Sequence, residues 1–173
     1  VQLFVISNGG NTNYFVNNKL QSIKQSYYWA TENNNHITEL DEFADAFLNL
    51  NHLGKMIAQY VVMNEAHKNM MILRPYQYFA SEAIIKQVST SNDNGYIWHT
   101  TGSGKTLTSF KASQVVMDLP GVHKVVFVVD RKDLDYQTMK EFNSFKDGSV
   151  DSTNNTTSLV NQFLGKYTDK KGQ

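Results

Sequence analysis

The chain has 173 residues, which is enough for one ordinary domain or for parts of two. Apolar residues make up 40% and charged residues 18%, so the composition is that of a globular protein and not of a disordered one. Basic and acidic side chains balance at 16 each, which argues against a dedicated basic nucleic-acid-binding module. The sequence has no cysteine, which excludes disulfides and thiolate metal sites, and its longest apolar run, residues 125–129, is too short to cross a membrane.

The first third of the chain predicts α+β structure. Residues 3–7 have the pattern of a buried strand, residues 7–11 are rich in turn formers, and residues 13–16 can return as the hairpin partner. A third, aromatic strand is expected at residues 26–30. The asparagines at 33–35 end this pattern.

Helical spacing follows. Apolar residues recur with a helical period between 40 and 48, with Thr38 as the expected N-cap, and the period continues from 53 to 60 after a break. We therefore expect a helical connector that extends to about residue 69.

From residue 70 the pattern predicts alternating helices and strands. A helix is expected to open at Arg74, with a proline just inside its start. Its expected apolar side consists of Phe79, Ala80, Ala83, Ile84 and Val88. After a loop at 91–95, we expect a strand at 96–98 and then a helix that begins after Lys105. The residues of this helix expected to be buried are Leu107, Phe110, Val115 and Val116. A strand at 125–129, a helix at 130–145 and a surface loop at 148–158 are expected to follow. This order predicts an α/β fold with a parallel, doubly wound sheet.

The residues after the strand at 96–98 predict a phosphate-binding loop, since they read Thr101-Gly102-Ser103-Gly104-Lys105-Thr106. Glycines at 102 and 104 allow backbone N–H groups to approach phosphate oxygens that a Cβ would block. Lys105 is suited to contact the β- and γ-phosphates, and the Thr106 hydroxyl is suited to contact Mg²⁺. An anion there would also meet the N-terminus of the following helix.

His99 departs from the general pattern of such loops. The general form has glycine five residues before Gly104, where this chain has His99. Many nucleic-acid helicases relax that position and keep the core of the motif. A Gly/Ser turn that only happens to precede Lys105 is the alternative, and the flanking strand and helix patterns argue against it.

Gln77 and Arg74 lie on the helix upstream of the loop. The amide of Gln77 offers both a donor and an acceptor, which matches the hydrogen-bonding edge of adenine. The alternative is a solvent-facing glutamine at a helix start. Arg131 and Lys132 follow the second predicted sheet strand, where open α/β sheets bind ligands, and are weaker candidates for contacts with DNA phosphates.

These segments resemble the superfamily 2 helicases and translocases. More closely, they resemble the restriction (motor) subunit of type I restriction–modification enzymes. The likeness lies in residues 1–9, 73–77, 96–108 and 128–137 and covers nearly the whole chain.

The resemblance implies a domain organisation and a fold class. In that family a nuclease domain precedes two RecA-like motor domains. Residues 1–30 would then be the end of a nuclease-type domain, 31–69 a helical connector, and 70–173 the N-terminal part of the first motor domain. The implied fold is α/β: an incomplete RecA-like P-loop domain with a parallel sheet, preceded by an α+β segment from a restriction-endonuclease-like domain.

The resemblance also implies an activity. The family's motor subunit assembles with modification and specificity subunits, moves double-stranded DNA using ATP and Mg²⁺, and cuts the DNA far from the recognition site. We expect this chain to belong to such a subunit in a bacterial cytoplasm. The nucleotide-binding residues are expected to be Arg74, Gln77, Thr101, Gly102, Ser103, Gly104, Lys105 and Thr106, with Lys105 as the only catalytic one and Thr106 as the contact to the metal.

The sequence lacks other motifs of that chemistry. It contains no Asp-Glu-x-His or Asp-Glu-x-Asp segment, with which the family holds Mg²⁺ and activates water, and no Glu-x-Lys with a suitable preceding aspartate. We interpret the chain as a piece of a longer protein, which by itself binds nucleotide weakly and is inactive. Two alternatives stay open: a superfamily 2 helicase or repair translocase without a nuclease, and a non-enzymatic nucleotide-binding module. The five histidines show no metal-ligand spacing.

Overall fold

The computed structural model describes residues 2–18, 25–130, 132–150 and 156–164. Its first part is an antiparallel sheet of four strands in sequence order: Leu3–Ser7 (β1), Thr12–Val16 (β2), Tyr27–Ala30 (β3) and His36–Ile37 (β4). The hairpin of β1 and β2 and the aromatic strand β3 were all predicted. The expected burial of β1 was wrong, because β1 lies at the edge of the sheet and leaves Val5 and Ile6 38% and 49% exposed.

Two helices and a hairpin follow the sheet. The helices are Leu40–Phe47 (α1) and Leu50–Lys55 (α2), and α2 continues into a π-helical turn, Met56–Tyr60. The N-cap of α1 is Glu39 and not the predicted Thr38, and the Glu39 side chain makes no capping hydrogen bond.

Strands Val61–Asn64 (β5) and Asn69–Ile72 (β6) then form an antiparallel hairpin that the sequence analysis did not predict. Strand β5 lies where a helical connector was expected, and β6 crosses the expected end of that connector at residue 69. The boundaries of the three domains stay predictions.

The later described residues contain the helices Pro75–Thr90 (α3), Lys105–Met117 (α4), Lys132–Phe145 (α5) and Thr156–Phe163 (α6). The start of α6 falls in the loop predicted at 148–158, of which residues 151–155 lie outside the described residues.

The buried side of α3 agrees only in part with the predicted one. Ala80 is buried as predicted, and so are Tyr78 and Ser81, whereas Ala83 and Val88 are exposed. The reason is that α3 packs against both β3 and α4, and these neighbours select the face. Periodicity alone does not contain that information.

A mainly aromatic core joins the first sheet to the helices. The ring of Phe47 on α1 lies 4.6 Å from Tyr14 and 5.0 Å from Trp29, measured between centroids, and Tyr78 on α3 lies 5.4 Å from Trp29. The Tyr14 hydroxyl donates to the Leu73 carbonyl at 2.9 Å, which satisfies a buried phenol. This bond ties the first sheet to the start of α3.

A second group of rings joins α4 to α5. Phe110 on α4 lies 5.4 Å from Phe142 and 5.0 Å from Phe145 on α5. The C-terminal end of α5 contacts the β5–β6 turn, where the Ala66 N–H donates to the Ser144 carbonyl at 3.0 Å.

The predicted parallel sheet is absent from the described part of the chain, where every strand pair is antiparallel. Residues 96–98 and 125–129 were predicted to be its strands, but they have no regular structure. Trp98 and Val128 are 89% and 86% exposed. Parallel strands need hydrogen-bonded neighbours and helices on both faces, and here α4 and α5 pack against each other instead.

Candidate nucleotide-binding site

The predicted phosphate-binding loop, residues 101–106, forms a tight turn that leads into the N-terminus of α4. Gly102 and Gly104 have positive φ angles of 76° and 78°, and Gly104 is the N-cap of α4. A side chain disfavours this backbone conformation, which explains glycine at both positions. A Cβ added at Gly102 would meet no atom within 4 Å, so open space adjoins the loop. Free N–H groups in the first turn of α4 make this space suitable for an anion.

Lys105 is exposed, and its side chain folds back onto the loop. Its Nζ donates to the Thr100 carbonyl at 2.9 Å, and the Ser103 hydroxyl donates to the same carbonyl at 2.8 Å. Lys105 must therefore exchange one hydrogen bond before it can contact a phosphate. Thr106 is partly buried and, together with Gly102, lines a cavity of about 400 Å³. Known small-molecule sites begin at about 300 Å³.

Gln77 reaches from α3 to the loop. It is only 3% exposed, and its Nε2 donates to the Ser103 and Gly104 carbonyls at 3.3 and 3.2 Å. Its Oε1 accepts from the Arg74 N–H at 2.9 Å, which caps the start of α3. Both ends of the amide that was predicted to read adenine are thus engaged within the protein. The adenine-reading role stays a prediction, and the structure adds a contact that joins α3 to the loop.

Tyr76 makes a second contact with the loop that sequence reasoning missed. Its hydroxyl donates to the Ser103 carbonyl at 2.8 Å. Arg74 supports it: one guanidinium nitrogen lies 3.4 Å from the Tyr76 hydroxyl, and the guanidinium carbon lies 4.9 Å from the centre of the Tyr27 ring. The sequence could have indicated this contact, because Tyr76 lies between the two predicted site residues Arg74 and Gln77. Both of those residues line the same cavity as the loop.

His99 contacts the loop from its N-terminal side. Its Nδ1 lies 3.0 Å from Ser103 Oγ, and its ring lies edge-on to Tyr76 with 5.9 Å between centroids. Burial, and secondarily the positive charge of Lys105, lowers the pKa of His99 below its ordinary value of 6.5. At neutral pH the imidazole is therefore uncharged.

The predicted DNA-contact residues lie at the limit of the described structure. Arg131 is outside the described residues, and Lys132 is the first residue of α5. Within residues 2–18, 25–130, 132–150 and 156–164, no group of three or more His, Cys, Asp or Glu side chains is arranged to hold a metal ion. No helix in this part of the chain is long and apolar enough to span a membrane.

Comparison with known proteins first defines the class. Residues 76–171, which include the phosphate-binding loop and α4, match the family model described as the SWI2/SNF2 ATPase. The match covers more than half of the chain, so the chain contains the characteristic sequence of an ATPase.

Relatives with higher similarity define the family more narrowly. The chain is 53% identical over 167 residues, 96% of its length, to a type I restriction enzyme endonuclease subunit of Staphylococcus saprophyticus, and 50% identical over 167 residues to one of Staphylococcus aureus. It is 43% identical over 150 residues to the C-terminal part of such a subunit from Mycoplasma pneumoniae, of which it covers 72%. The chain belongs to the family of type I restriction enzyme endonuclease subunits, with an ATPase region of the SWI2/SNF2 type.

The resemblance seen in the sequence is thereby confirmed. The chain spans 18% of the length of each of the two staphylococcal relatives.

Proposed function

We propose that the chain provides the ATP-binding loop of a type I restriction subunit and that ATP bound there powers the movement of double-stranded DNA before cleavage. The observation that carries this proposal is the loop itself. Two glycines with positive φ lie at the N-terminus of α4, open space adjoins Gly102, and Lys105 and Thr106 follow directly. The endonuclease names of the relatives favour this function over a helicase without a nuclease or a module that only binds nucleotide.

The proposed contacts with nucleotide follow from this geometry. The N–H groups of Gly102, Ser103 and Gly104 would surround the phosphates. The Ser103 N–H and the Lys105 ammonium both donate to the Thr100 carbonyl and would leave it to contact them. Thr101 belongs to the same loop. Thr106 would hold Mg²⁺ together with the nucleotide's phosphates and water, since Mg²⁺ at such sites takes few protein ligands. When bound, MgATP supplies the phosphoryl group whose transfer to water drives movement.

Gln77 and Arg74 line the same cavity as the loop and are proposed to contact the nucleotide there. For Gln77 to read adenine, its Nε2 must exchange the Ser103 and Gly104 carbonyls for the base. Adenine binding would then break the hydrogen bonds by which Gln77 joins α3 to the loop. Binding of the base would in this way affect the conformation of the loop that is proposed to hold the phosphates.

The activity of the whole protein is proposed from the family. Relatives of this chain are named as endonuclease subunits of type I restriction enzymes. We infer that the protein acts on double-stranded DNA together with modification and specificity subunits in the bacterial cytoplasm. Residues 1–30 are proposed to end its nuclease-type domain, 31–69 to connect the domains, and 70–173 to begin its first motor domain.

A RecA-like parallel sheet is proposed for that motor domain. The apolar segments 96–98 and 125–129 each precede a functional helix, and both are exposed. Neighbouring strands would pair with their free backbone groups and bury their side chains. Arg131 and Lys132 would then follow the carboxyl end of a sheet strand, where they are proposed to contact DNA phosphates.

Replacement of Lys105 tests the proposed function. We expect Lys105→Ala in the complete protein to reduce DNA-stimulated ATP hydrolysis by about 100-fold or more, because it removes the charge that stabilises the reacting phosphate. Lys86→Ala removes the same charge from an exposed position on α3 and serves as the control. Circular dichroism checks that both variants are folded. If Lys105→Ala hydrolyses ATP at the rate of Lys86→Ala, the assignment of the loop is wrong.

A further inference from the structure

His99 occupies the place in the loop where the general motif has glycine, and the structure gives its side chain a defined partner. Nδ1 lies 3.0 Å from Ser103 Oγ. The Ser103 hydroxyl in turn donates to the Thr100 carbonyl at 2.8 Å. A chain of hydrogen bonds thus runs from His99 through Ser103 to the carbonyl that also accepts from Lys105.

This arrangement assigns the proton on the imidazole ring. A serine hydroxyl has one hydrogen, and that of Ser103 is directed at the Thr100 carbonyl. Ser103 Oγ can therefore only accept from His99, so Nδ1 carries a hydrogen. In the neutral ring the other nitrogen, Nε2, is then the basic one. Protonation at Nε2 leaves the Nδ1–H bond to Ser103 in place.

The charged groups around His99 come from both helices that adjoin the loop. The charge of Lys105 on α4 lowers the pKa of His99 directly. Arg74 on α3 contacts the Tyr76 hydroxyl, and the Tyr76 ring lies edge-on to the imidazole of His99. Burial and the Lys105 charge keep the free ring neutral. A bound triphosphate would reverse this balance, since it brings several negative charges and pairs with Lys105.

We propose that His99 is a proton-linked positioning residue, which holds Ser103 through Nδ1 and takes up a proton at Nε2 when a nucleoside triphosphate occupies the loop. The charged imidazolium then adds a second positive charge beside that of Lys105. This inference rests on the proposed function, because it requires nucleotide at this loop.

The linkage between proton uptake and nucleotide binding gives the direction in which affinity changes with pH. If nucleotide raises the pKa of His99, the complex binds more protons than the free protein. Affinity is then highest below the pKa of free His99 and falls as the pH rises through the pKa of the complex. One unit of difference between the two pKa values corresponds to about a tenfold change in affinity.

The experiment compares the complete protein with its His99→Asn variant. The Asn amide retains a donor close to the position of Nδ1 but does not titrate near neutral pH. Calorimetric titration with a non-hydrolysable ATP analogue and Mg²⁺, in two buffers of different ionisation enthalpy at each pH between 6 and 8, gives both affinity and proton uptake. The nucleotide's own protonation is common to both proteins and cancels in the comparison.

We expect the wild type to lose about tenfold more affinity than His99→Asn between pH 6 and pH 8, and to take up additional protons at pH 7. We expect both to bind within about twofold of each other at pH 8, where the wild-type imidazole is neutral in the complex as well as in the free protein. Equal proton uptake and parallel pH profiles in the two proteins would overturn the inference.

Two further variants separate this inference from the proposed function. Ser103→Ala keeps the imidazole but removes its partner, so it should weaken binding at every pH while a pH dependence persists. Lys105→Ala should abolish binding. If Lys105→Ala binds as the wild type does, or the wild type does not bind the analogue, both proposals fail. If only the difference between wild type and His99→Asn is missing, the loop assignment stands and the role of His99 does not.

Discussion

Gly102 and Gly104 share a backbone conformation but have different surroundings. Their φ angles are 76° and 78°. A Cβ at Gly104 would lie 2.5 Å from Gln77 Nε2, whereas a Cβ at Gly102 would meet nothing within 4 Å. Gly102 adjoins open space, and its backbone angle alone favours glycine. Gly104 also leaves room for the Gln77 side chain.

Alanine at these positions should separate stability from binding. We expect Gly104→Ala to lower the free energy of unfolding by about 2 kcal/mol or more, from backbone strain plus the contact with Gln77, and Gly102→Ala to lower it by about 1 kcal/mol from strain alone. Gly102→Ala should nevertheless weaken nucleotide binding, because its methyl group occupies the open space. Urea denaturation measures the first effect and calorimetric titration the second.

The control for this prediction is the double variant Gly104→Ala/Gln77→Ala. It should be less destabilised than the sum of the two single variants, because the contact is no longer present. Equal destabilisation by the two glycine variants would contradict the packing seen at Gly104.

At the level of elements, α3 links α2 and the π-helical turn to the loop at residues 101–106. Its N-terminal turn supplies the loop contacts of Tyr76 and Gln77. One turn further along, Glu82 forms a salt bridge with Lys55 of α2 and accepts a hydrogen bond from Tyr60 of the π-helical turn. The positions of Tyr76 and Gln77 therefore depend on their contacts with the loop and also on the contacts of Glu82 with α2 and the π-helical turn.

Tyr60→Phe tests the link between α3 and the π-helical turn. The change removes a hydrogen bond to a carboxylate and should lower the free energy of unfolding by about 1.5 kcal/mol at pH 7. Burial, and secondarily the bond to Glu82, raises the pKa of Tyr60 well above its ordinary value of 10.0. The folded state therefore keeps a proton that the unfolded state loses, so this contribution is present below pH 10 and declines as the pH rises further.

Urea denaturation at pH 8 and at pH 10.5 measures both effects. The stability of the wild type should fall more steeply over this interval than that of Tyr60→Phe. Tyr14 and Tyr78 also have pKa values raised by burial, so some alkaline loss persists in the variant. An unchanged alkaline slope in Tyr60→Phe would show that the phenol is not held as described.

At the scale of the whole molecule, two apolar segments have no strand partners in the described part of the chain. The Phe127 ring does pack against Phe142 of α5, with 5.4 Å between centroids. Residues 125–129 are a continuous apolar run, yet the side chains of Val126 and Phe127 are 51% and 47% exposed, and Tyr96 in the other segment is 88% exposed. Exposed apolar surface is typical of interaction sites. The proposed parallel sheet would supply strand partners for both segments.

Hydrogen exchange tests whether these segments become strands. In the 173-residue chain we expect the amides of residues 96–98 and 125–129 to exchange rapidly, because the structure gives them no strand partners. In a protein with the length of the staphylococcal relatives, we expect both segments to be strongly protected. Residues 27–30 of the antiparallel sheet serve as the internal reference and should be protected in both proteins. Rapid exchange of both segments in the longer protein would refute the parallel sheet.

Prediction from the sequence succeeded where local pattern decides the structure. The strands β1 to β3 and the helices α1, α3, α4 and α5 were all anticipated, because their periodicity and turn residues lie within a few positions of one another. The hairpin of β5 and β6 was missed, because its two strands have only four residues each and directly follow a stretch with a helical period. The strands at 96–98 and 125–129 were predicted from composition, but a parallel strand forms only with neighbours that are distant in sequence.

The sequence by itself determined the family, and it supplied the motif at residues 101–106 on which the proposed nucleotide site rests. Its two glycines, lysine and threonine are adjacent, and their chemistry depends on local backbone geometry. Only the tertiary structure decided what holds the loop. Gln77 reaches carbonyls 26 and 27 residues away, and Tyr76 spans the same distance. Such contacts depend on how α3 packs against α4, which no local pattern encodes. Even the His99–Ser103 bond, four residues apart, required the turned backbone to bring the two side chains together.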